Sequence, residues 1–393
     1  MTSSQHQHQK RTVKGWCPGI RKPMPSGDGL LMRLKPDMHR MTSDEVLSLC
    51  ASAKAHGSGI IALTNRANLQ IRGLEEEGYH SLVSELAVAG LISELPEDDE
   101  ELNLLTSPRF TAGDMTSQLA AELRRRCMEL PALPAKFGFS IDLSPQPCLR
   151  GCSSDIRLEA DGRGGILIRA DGAEKARKTT EAEAVSDMIA LAHHYAETRR
   201  PTQRRMARFV RDDMLDERWQ DTECSVPEDV MMTVGPSDQG QIVALPFSQC
   251  HAERLADIIS ASGAEAVRLT PFGMIILEGC TEFTSEEVIT QPDSPLLKVR
   301  ACSGSPYCSS AFINTQDIAT RLPELEAETI HISGCAKGCA YPFRADITLV
   351  GHPEGLYMIS EGYPWDDHII KDVSLDNLDS LIAGDEEAEE ETE

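Results

Sequence analysis

The sequence lacks a basic surplus: 63 Asp and Glu stand against 38 Lys and Arg, a formal net charge of −25 over 393 residues. A nucleic-acid binder shows the opposite footprint, so no nucleic-acid partner is expected. Long apolar runs are missing too. None approaches the roughly 20 residues that span a bilayer, so no membrane partner is expected either. The opening, MTSSQHQHQKRT, has no apolar stretch. It reads as a disordered start over residues 1–15 and not as a secretory signal, which points to the cytoplasm. Thiols stay reduced there, so a disulfide framework is the weakest reading of the 12 cysteines. No G-x-G-x-x-G follows a strand and opens a helix, so no dinucleotide fold is expected.

What is present is material for real cores, since 40% of the residues are hydrophobic. At about 150 residues per domain the length allows two to three domains. Two acidic runs, Glu97 to Glu101 and Asp385 to Glu393, hold twelve of the acids. Such blocks are solvated linkers or tails.

The chain is written twice. Gly29 to Leu34 opens as a strand, and Thr42 with Glu45 forms a capping-box pattern before a helix closed at Gly57. A strand is then predicted over 59–72. The order recurs in the strand 240–245, the helix 251–262 and the strand 266–277. From helix to strand the match is ungapped: Gly57 meets Gly263 and Gly73 meets Gly279. Asp155-Ile-Arg-Leu-Glu159 echoes Asp346-Ile-Thr-Leu-Val350, each after a cysteine-bearing loop. The segments therefore run A, B, A′, B′, each α+β in pattern. Their expected boundaries are 16–95, 103–220, 226–290 and 296–384, with an acidic tail at 385–393. Thr180 and Glu183 form a second capping-box pattern, opening a helix through Ala196. The arginine cluster 199–211 that follows reads as a solvated connector face. The copies differ where chemistry would sit: Arg66, Gln70 and Arg72 meet Phe272, Ile276 and Glu278.

Four of the cysteines are clustered. Cys302 and Cys308 are C-x5-C, and Cys335 and Cys339 are C-x3-C. Four thiolates from two glycine-containing loops suit zinc or an iron–sulfur cluster. The wide C-x5-C spacing is unusual for a zinc knuckle. Cys148 and Cys152 form another C-x3-C without an upstream partner, and read as plain thiols or a relic.

C-x5-C followed by C-x3-C resembles the cluster signature of siroheme-dependent sulfite and nitrite reductases. These are built from two ferredoxin-like halves, each followed by an α+β cluster-type domain. The resemblance implies that Cys302, Cys308, Cys335 and Cys339 hold a [4Fe–4S] cluster. Thr64-Asn-Arg66-Ala-Asn-Leu-Gln70 is similar to the reductases' T-x-R-x-x-x-Q segment. Leu133-Pro-Ala-Lys136-Phe-Gly138 is similar to their L-P-x-K-F-K, with Gly138 in place of the second Lys. Leu102 stands where they have Arg. Two of four anion-binding cations are thus missing, which counts against six-electron reduction of a small anion. The segment Trp16 to Arg33, together with Ala301 to Pro306 and His331 to Ala340, resembles the precorrin-3B synthase branch. The likeness runs from Trp16 to Gly362.

This resemblance implies a monooxygenase of cobalamin biosynthesis. It hydroxylates precorrin-3A with O2 at the meso carbon between rings A and D, and a γ-lactone then closes. The family is thought to use a mononuclear non-heme iron as well. Electrons come from an external reductase or ferredoxin-like donor, with NADH as the indirect source. The substrate is a polyanion, so a basic pocket is implied. Within matched motifs the substrate-binding candidates are Arg33, Arg66, Gln70, Arg72, Lys136, Lys337 and Arg344, with Arg66 and Lys136 also catalytic. A siroheme reductase and a non-enzymatic cluster or tetrapyrrole-binding protein are the alternatives.

Overall fold

A computed structural model describes residues 18–93, 102–322, 325–341 and 343–367, with 370, 373–375 and 378. The polar start, Trp16, Cys17 and both acidic runs lie outside the described residues. Segment A holds β1 (Met24–Ser26), β2 (Gly29–Leu34), β3 (Arg40–Thr42), α1 (Ser43–His56), β4 (Ile60–Leu63), β5 (Leu69–Leu74) and α2 (Glu76–Val88). Segment B holds β6 (Leu104–Thr106), α3 (Met115–Arg125), β7 (Phe139–Asp142), β8 (Ile156–Asp161), β9 (Gly165–Ala170), β10 (Lys175–Thr179), α4 (Ala184–Thr198), α5 (Met206–Arg211) and β11 (Thr222–Glu223). Segment A′ holds β12 (Gly235–Ser237), β13 (Gly240–Ala244), β14 (Gln249–His251), α6 (Ala252–Ser262), β15 (Ala266–Leu269) and β16 (Met274–Glu278). Segment B′ holds β17 (Val299–Ala301), α7 (Thr315–Ala319), β18 (Ile330–Ser333), β19 (Ala345–His352) and β20 (Gly355–Gly362).

The two A-type sheets exchange a strand. The first runs β1-β2-β5-β4-β14 and the third β12-β13-β16-β15-β3. Each half covers the other's open edge, where unpaired N–H and C=O groups would otherwise face solvent. Helices α1 and α6 pack together, and one hydrophobic core runs through both halves. The 16–95 and 226–290 segments are therefore one structural body. The capping box opening α1 forms as read, with Thr42 Oγ1 accepting from the Glu45 N–H and Glu45 Oε2 from the Thr42 N–H. The one at Thr180 does not: its hydroxyl meets the Glu183 carboxylate instead, and α4 begins at Ala184.

The duplication extends to backbone conformation. Met38 and His39 have φ of 49° and 56°, and Phe247 and Ser248 have 53° and 60° at the matching bend. In both B-type sheets three parallel strands (β6-β7-β8 and β17-β18-β19) are closed by an antiparallel fourth, β9 or β20. The matched aspartates do the same work. Asp155 accepts from the Gly138 N–H at 2.9 Å, and Asp346 from the Thr329 N–H at 2.9 Å. Each ties the strand β8 or β19 to the chain entering β7 or β18.

The strand predicted over 59–72 is two strands. Thr64 Oγ1 accepts the N–H groups of Arg66 and Asn68 at 3.3 and 3.1 Å, and Ala67 turns to φ 53°. A threonine doing this breaks the ladder into a hairpin. Arg66 thereby moves from a strand face to a hairpin tip. Thr270 and Gly273 make the same turn in A′, with Phe272 at the tip.

Candidate functional site

Strands β17 and β18 are parallel neighbours, so the loops leaving their C-terminal ends emerge side by side. One carries Cys302 and Cys308, the other Cys335 and Cys339. Cys335 is buried, Cys302 and Cys308 are partly buried, and Cys339 is exposed. The four lie within one another's field. Burial pushes the Cys302 and Cys335 thiols up, and neighbouring cysteines add to this. Cys339 is exposed as a residue but its thiol is enclosed, and this first, then Cys302, Cys335 and Cys308, pushes it up to about 11. Thiols raised in this way, as at Cys302, Cys335 and Cys339, hold their protons until a positive group draws them off. Backbone donors already face the sulfurs: the Gly334 N–H points at Cys302 Sγ at 3.2 Å, and the Lys337 N–H at Cys335. Gly304 and Gly338 hold left-handed φ of 63° and 62°. A Cβ there would strike Thr315 and Trp365 respectively, so the loop paths require glycine. Among the described residues no three His, Cys, Asp or Glu side chains converge on one metal ion. The donor set is thiol-only and supplied with N–H groups.

The Cys302–Cys308 loop is held from half A. Arg72 is 4% exposed and donates to Asp28 at 3.2 Å, Ser26 Oγ at 2.9 Å, Ser303 Oγ at 3.4 Å and the Tyr307 carbonyl at 2.5 Å. The Gly27 N–H and Ser26 Oγ reach the same carbonyl at 3.1 and 2.8 Å. Arg72 was expected to bind substrate. Its charge is met by Asp28 and its fork is filled by protein, so it is a clamp on the cysteine loop.

The other candidates separate into two groups. Arg66 lines a shallow, open cleft between A and B, together with Lys35, His39, Asn103, Arg124 and Ser153. Its Nη2 donates to the Lys136 carbonyl at 2.9 Å and Ser153 Oγ at 3.3 Å. Lys136 is exposed beside it, brought there by its backbone. Arg33 and Gln70 are cross-strand partners, joined at 3.0 Å. Lys337 donates to Ser310 Oγ at 2.7 Å between Cys335 and Cys339. Arg344 is exposed and donates to the Glu361 carbonyl at 2.9 Å, away from the cleft lining.

Sequence reasoning missed Lys35, His39 and Arg124. Lys35 Nζ donates to Asn103 Oδ1 at 3.1 Å, beside Leu102, so cations stand near the position whose arginine is missing. The only signal for Lys35 and His39 was a polar stretch between β2 and β3. Arg205, read as part of a solvated face, instead pairs with the fully buried Asp155 at 2.9 Å and with Ser153 Oγ at 3.1 Å.

In B the second C-x3-C faces a carboxylate. Asp142 accepts the N–H groups of Cys148 and Leu149 at 2.7 and 3.1 Å. Burial pushes the Cys148 thiol far up and Cys152 up to about 12. These are inert thiols in a loop whose donors are satisfied by protein.

His39 is 4% exposed, with its ring nitrogens 3.1 and 3.0 Å from the carbonyls of Ala67 and Leu104. Burial, and then the Arg124 charge, lowers its pKa from 6.5 to about 4. The unfolded chain therefore binds this proton more readily than the folded one. The stability from a neutral His39 is complete above pH 6.5 and is lost as pH falls towards 4, about 3 kcal/mol in all. His39→Asn, which tolerates positive φ, should flatten this loss in urea unfolding at pH 7 against pH 4.5. An unchanged pH dependence would assign it to other groups.

The nitrite/sulfite reductase ferredoxin-like half domain matches residues 22–89. A precorrin-3B synthase from Sinorhizobium sp is 30% identical, covering 89% of this chain and 83% of its own. An assimilatory ferredoxin-dependent nitrite reductase from Haloferax mediterranei is 25% identical, over 75% of this chain and 64% of its own. Among solved structures, the Mycobacterium tuberculosis NirA protein superposes with a TM-score of 0.60 at 17% identity, covering 90% of this chain and 79% of that one. That likeness establishes the shared fold.

Proposed function

The chain belongs to the precorrin-3B synthase family, oxidoreductases on the nitrite/sulfite reductase fold, and on that footing we propose that it hydroxylates precorrin-3A. The oxidation falls at the meso carbon between rings A and D and is followed by γ-lactone closure. One atom of O2 enters the product. The other leaves as water, taking two electrons and two protons.

The observation that carries this reading is the four-cysteine pair of loops at the ends of β17 and β18. Cys302, Cys308, Cys335 and Cys339 would hold a [4Fe–4S] cluster, which supplies one-electron transfer when bound. Arg66, Lys136 and Arg33, with Lys35, would bind the substrate's carboxylates, Arg by its planar fork. Electrons would come from an external reductase or ferredoxin-like donor fed by NADH. The described residues do not fit a mononuclear iron held by protein side chains, and no step is assigned to one.

The reductase reading is disfavoured at Gly138. The reductases' second lysine is absent there, and a Cβ would stand 3.2 Å from the Asn103 carbonyl, so a side chain would enter only with a shift of a few tenths of an ångström. Incubation with precorrin-3A, isotopically labelled O2 and a reductant should give a product carrying one labelled oxygen. A product without label defeats the monooxygenase reading, and a siroheme Soret band in anaerobically purified protein defeats the synthase reading. Arg66→Ala should weaken tetrapyrrole binding by about tenfold or more. Unchanged affinity would remove Arg66 from the substrate site.

A further inference from the structure

Neighbouring positions on β17, β18 and β19 place Arg300, His331 and Thr348 side by side on one face of the B′ sheet. The opposite face carries the apolar core of B′, including Val299, Ile330 and Ile347. In B the corresponding row is Leu105, Ser140 and Arg157, extended by Arg169 on β9, so Leu105 stands where B′ has Arg300. There every cation is matched. Arg157 meets Asp171 at 3.0 Å and the Leu149 carbonyl at 3.0 Å, and Arg169 forks onto Glu159.

The B′ row is not matched in this way. Among the described residues, Arg300 has a single hydrogen bond, to the Phe272 carbonyl at 3.5 Å, a distance at which such a bond is weak. No carboxylate among them pairs with it. His331 is fully buried, and neither ring nitrogen has a partner among the described residues. A neutral imidazole carries one donor and one acceptor, and leaving both unmet when buried is costly. Thr348 in the same row is satisfied by the Gly362 carbonyl at 2.8 Å. The row is thus complete at one end and unmet at the other.

The unmet end is flanked by aromatic rings. Tyr341 lies edge-on to His331 at 6.0 Å, and Phe343 edge-on to Tyr341 at 5.4 Å. Phe343 is 45% exposed and its ring edge comes up to Gly151, two residues before the Ser153 that holds Arg66. Two aromatic rings leading to a partly buried guanidinium suit the rim of a flat ring system bearing carboxylate arms.

We propose that Arg300, with His331 beside it, is a carboxylate-binding subsite for the tetrapyrrole, continuous through Tyr341 and Phe343 with the Arg66 cleft. This rests on the tetrapyrrole reading above. Arg300 binds one carboxylate arm through its fork, and the arm or a water it holds satisfies His331.

The test uses the full chain and uroporphyrin III, a tetrapyrrole with eight carboxylates, titrated by fluorescence beside thermal unfolding. Wild-type protein should bind. Arg300→Gln should bind at least tenfold more weakly while its unfolding midpoint stays level or rises, because the protein itself gives this cation so little. Should Arg300→Gln fail to fold, Arg300→Lys decides. It keeps the charge and loses the fork, and affinity should fall at least fivefold with the midpoint unmoved. Wild type that ignores uroporphyrin overturns the tetrapyrrole reading, and this subsite with it. Wild type that binds, with a variant that binds equally well, overturns the subsite alone.

Discussion

Cys335→Ser is expected to remove iron and acid-labile sulfide from the purified protein, and with them the broad visible absorbance and all activity. A serine hydroxyl is not ionised near neutral pH and cannot replace a soft thiolate on iron. The fold should survive. Cys335 contributes its backbone independently of its sulfur, since Ser333 Oγ holds the Cys335 carbonyl at 2.7 Å. Circular dichroism should therefore match wild type while the metal content falls to background. Cys148→Ser is the internal contrast: that thiol is buried and inert, and its loop is tied to Asp142, so iron content should not change. Iron retained in Cys335→Ser, or lost in Cys148→Ser, would overturn the ligand assignment.

Arg72→Ala should cost about 3–5 kcal/mol in stability, the scale for removing one member of a buried ion pair. Asp28 would lose its counter-charge, and the Tyr307 carbonyl and Ser303 hydroxyl would lose their donor. The Cys302–Cys308 loop would be freed from half A, so cluster loss under chelator should accelerate as well. Arg72→Lys should recover only part of this, because one ammonium cannot span the carboxylate and the loop carbonyl. The measurements are urea unfolding and the rate of iron release. A variant with wild-type stability and weakened tetrapyrrole affinity would return Arg72 to the substrate site.

Much of the fold was legible because it is carried by local chemistry repeated in the chain. The Thr42–Glu45 box, the left-handed Gly263 cap and the Asp155–Asp346 match each reflect a hydrogen bond or a backbone conformation that the residue itself specifies, whereas Gly57 is extended and is glycine because the Arg72 carbonyl lies against it. The hairpin at Thr64 was readable in principle, since a threonine two residues before a polar Arg can accept backbone N–H groups. It was masked by the apolar runs on either side, which look like one long strand.

The site was less legible. Arg33, Arg66 and Arg72 look alike in sequence, yet one meets Gln70, one stands at a cleft and one is consumed by Asp28 and Tyr307. Asp28 and Arg72 are 44 positions apart, and Tyr307 is 235 from Arg72. Nothing in a local pattern shows such pairing.

The sequence by itself determined the A, B, A′, B′ order, the one copy that keeps a four-cysteine set, and the cations available to it. These follow from residue type and spacing, which the linear chain contains. Tertiary structure decided the exchange of β3 and β14, the clamp role of Arg72, and the contrast between the matched Arg157–Arg169 row in B and the unmet Arg300–His331 row in B′. The reason is physical. A guanidinium binds a ligand only where the protein has not already supplied its carboxylate, and which carboxylates come near it is settled by how the sheets pack.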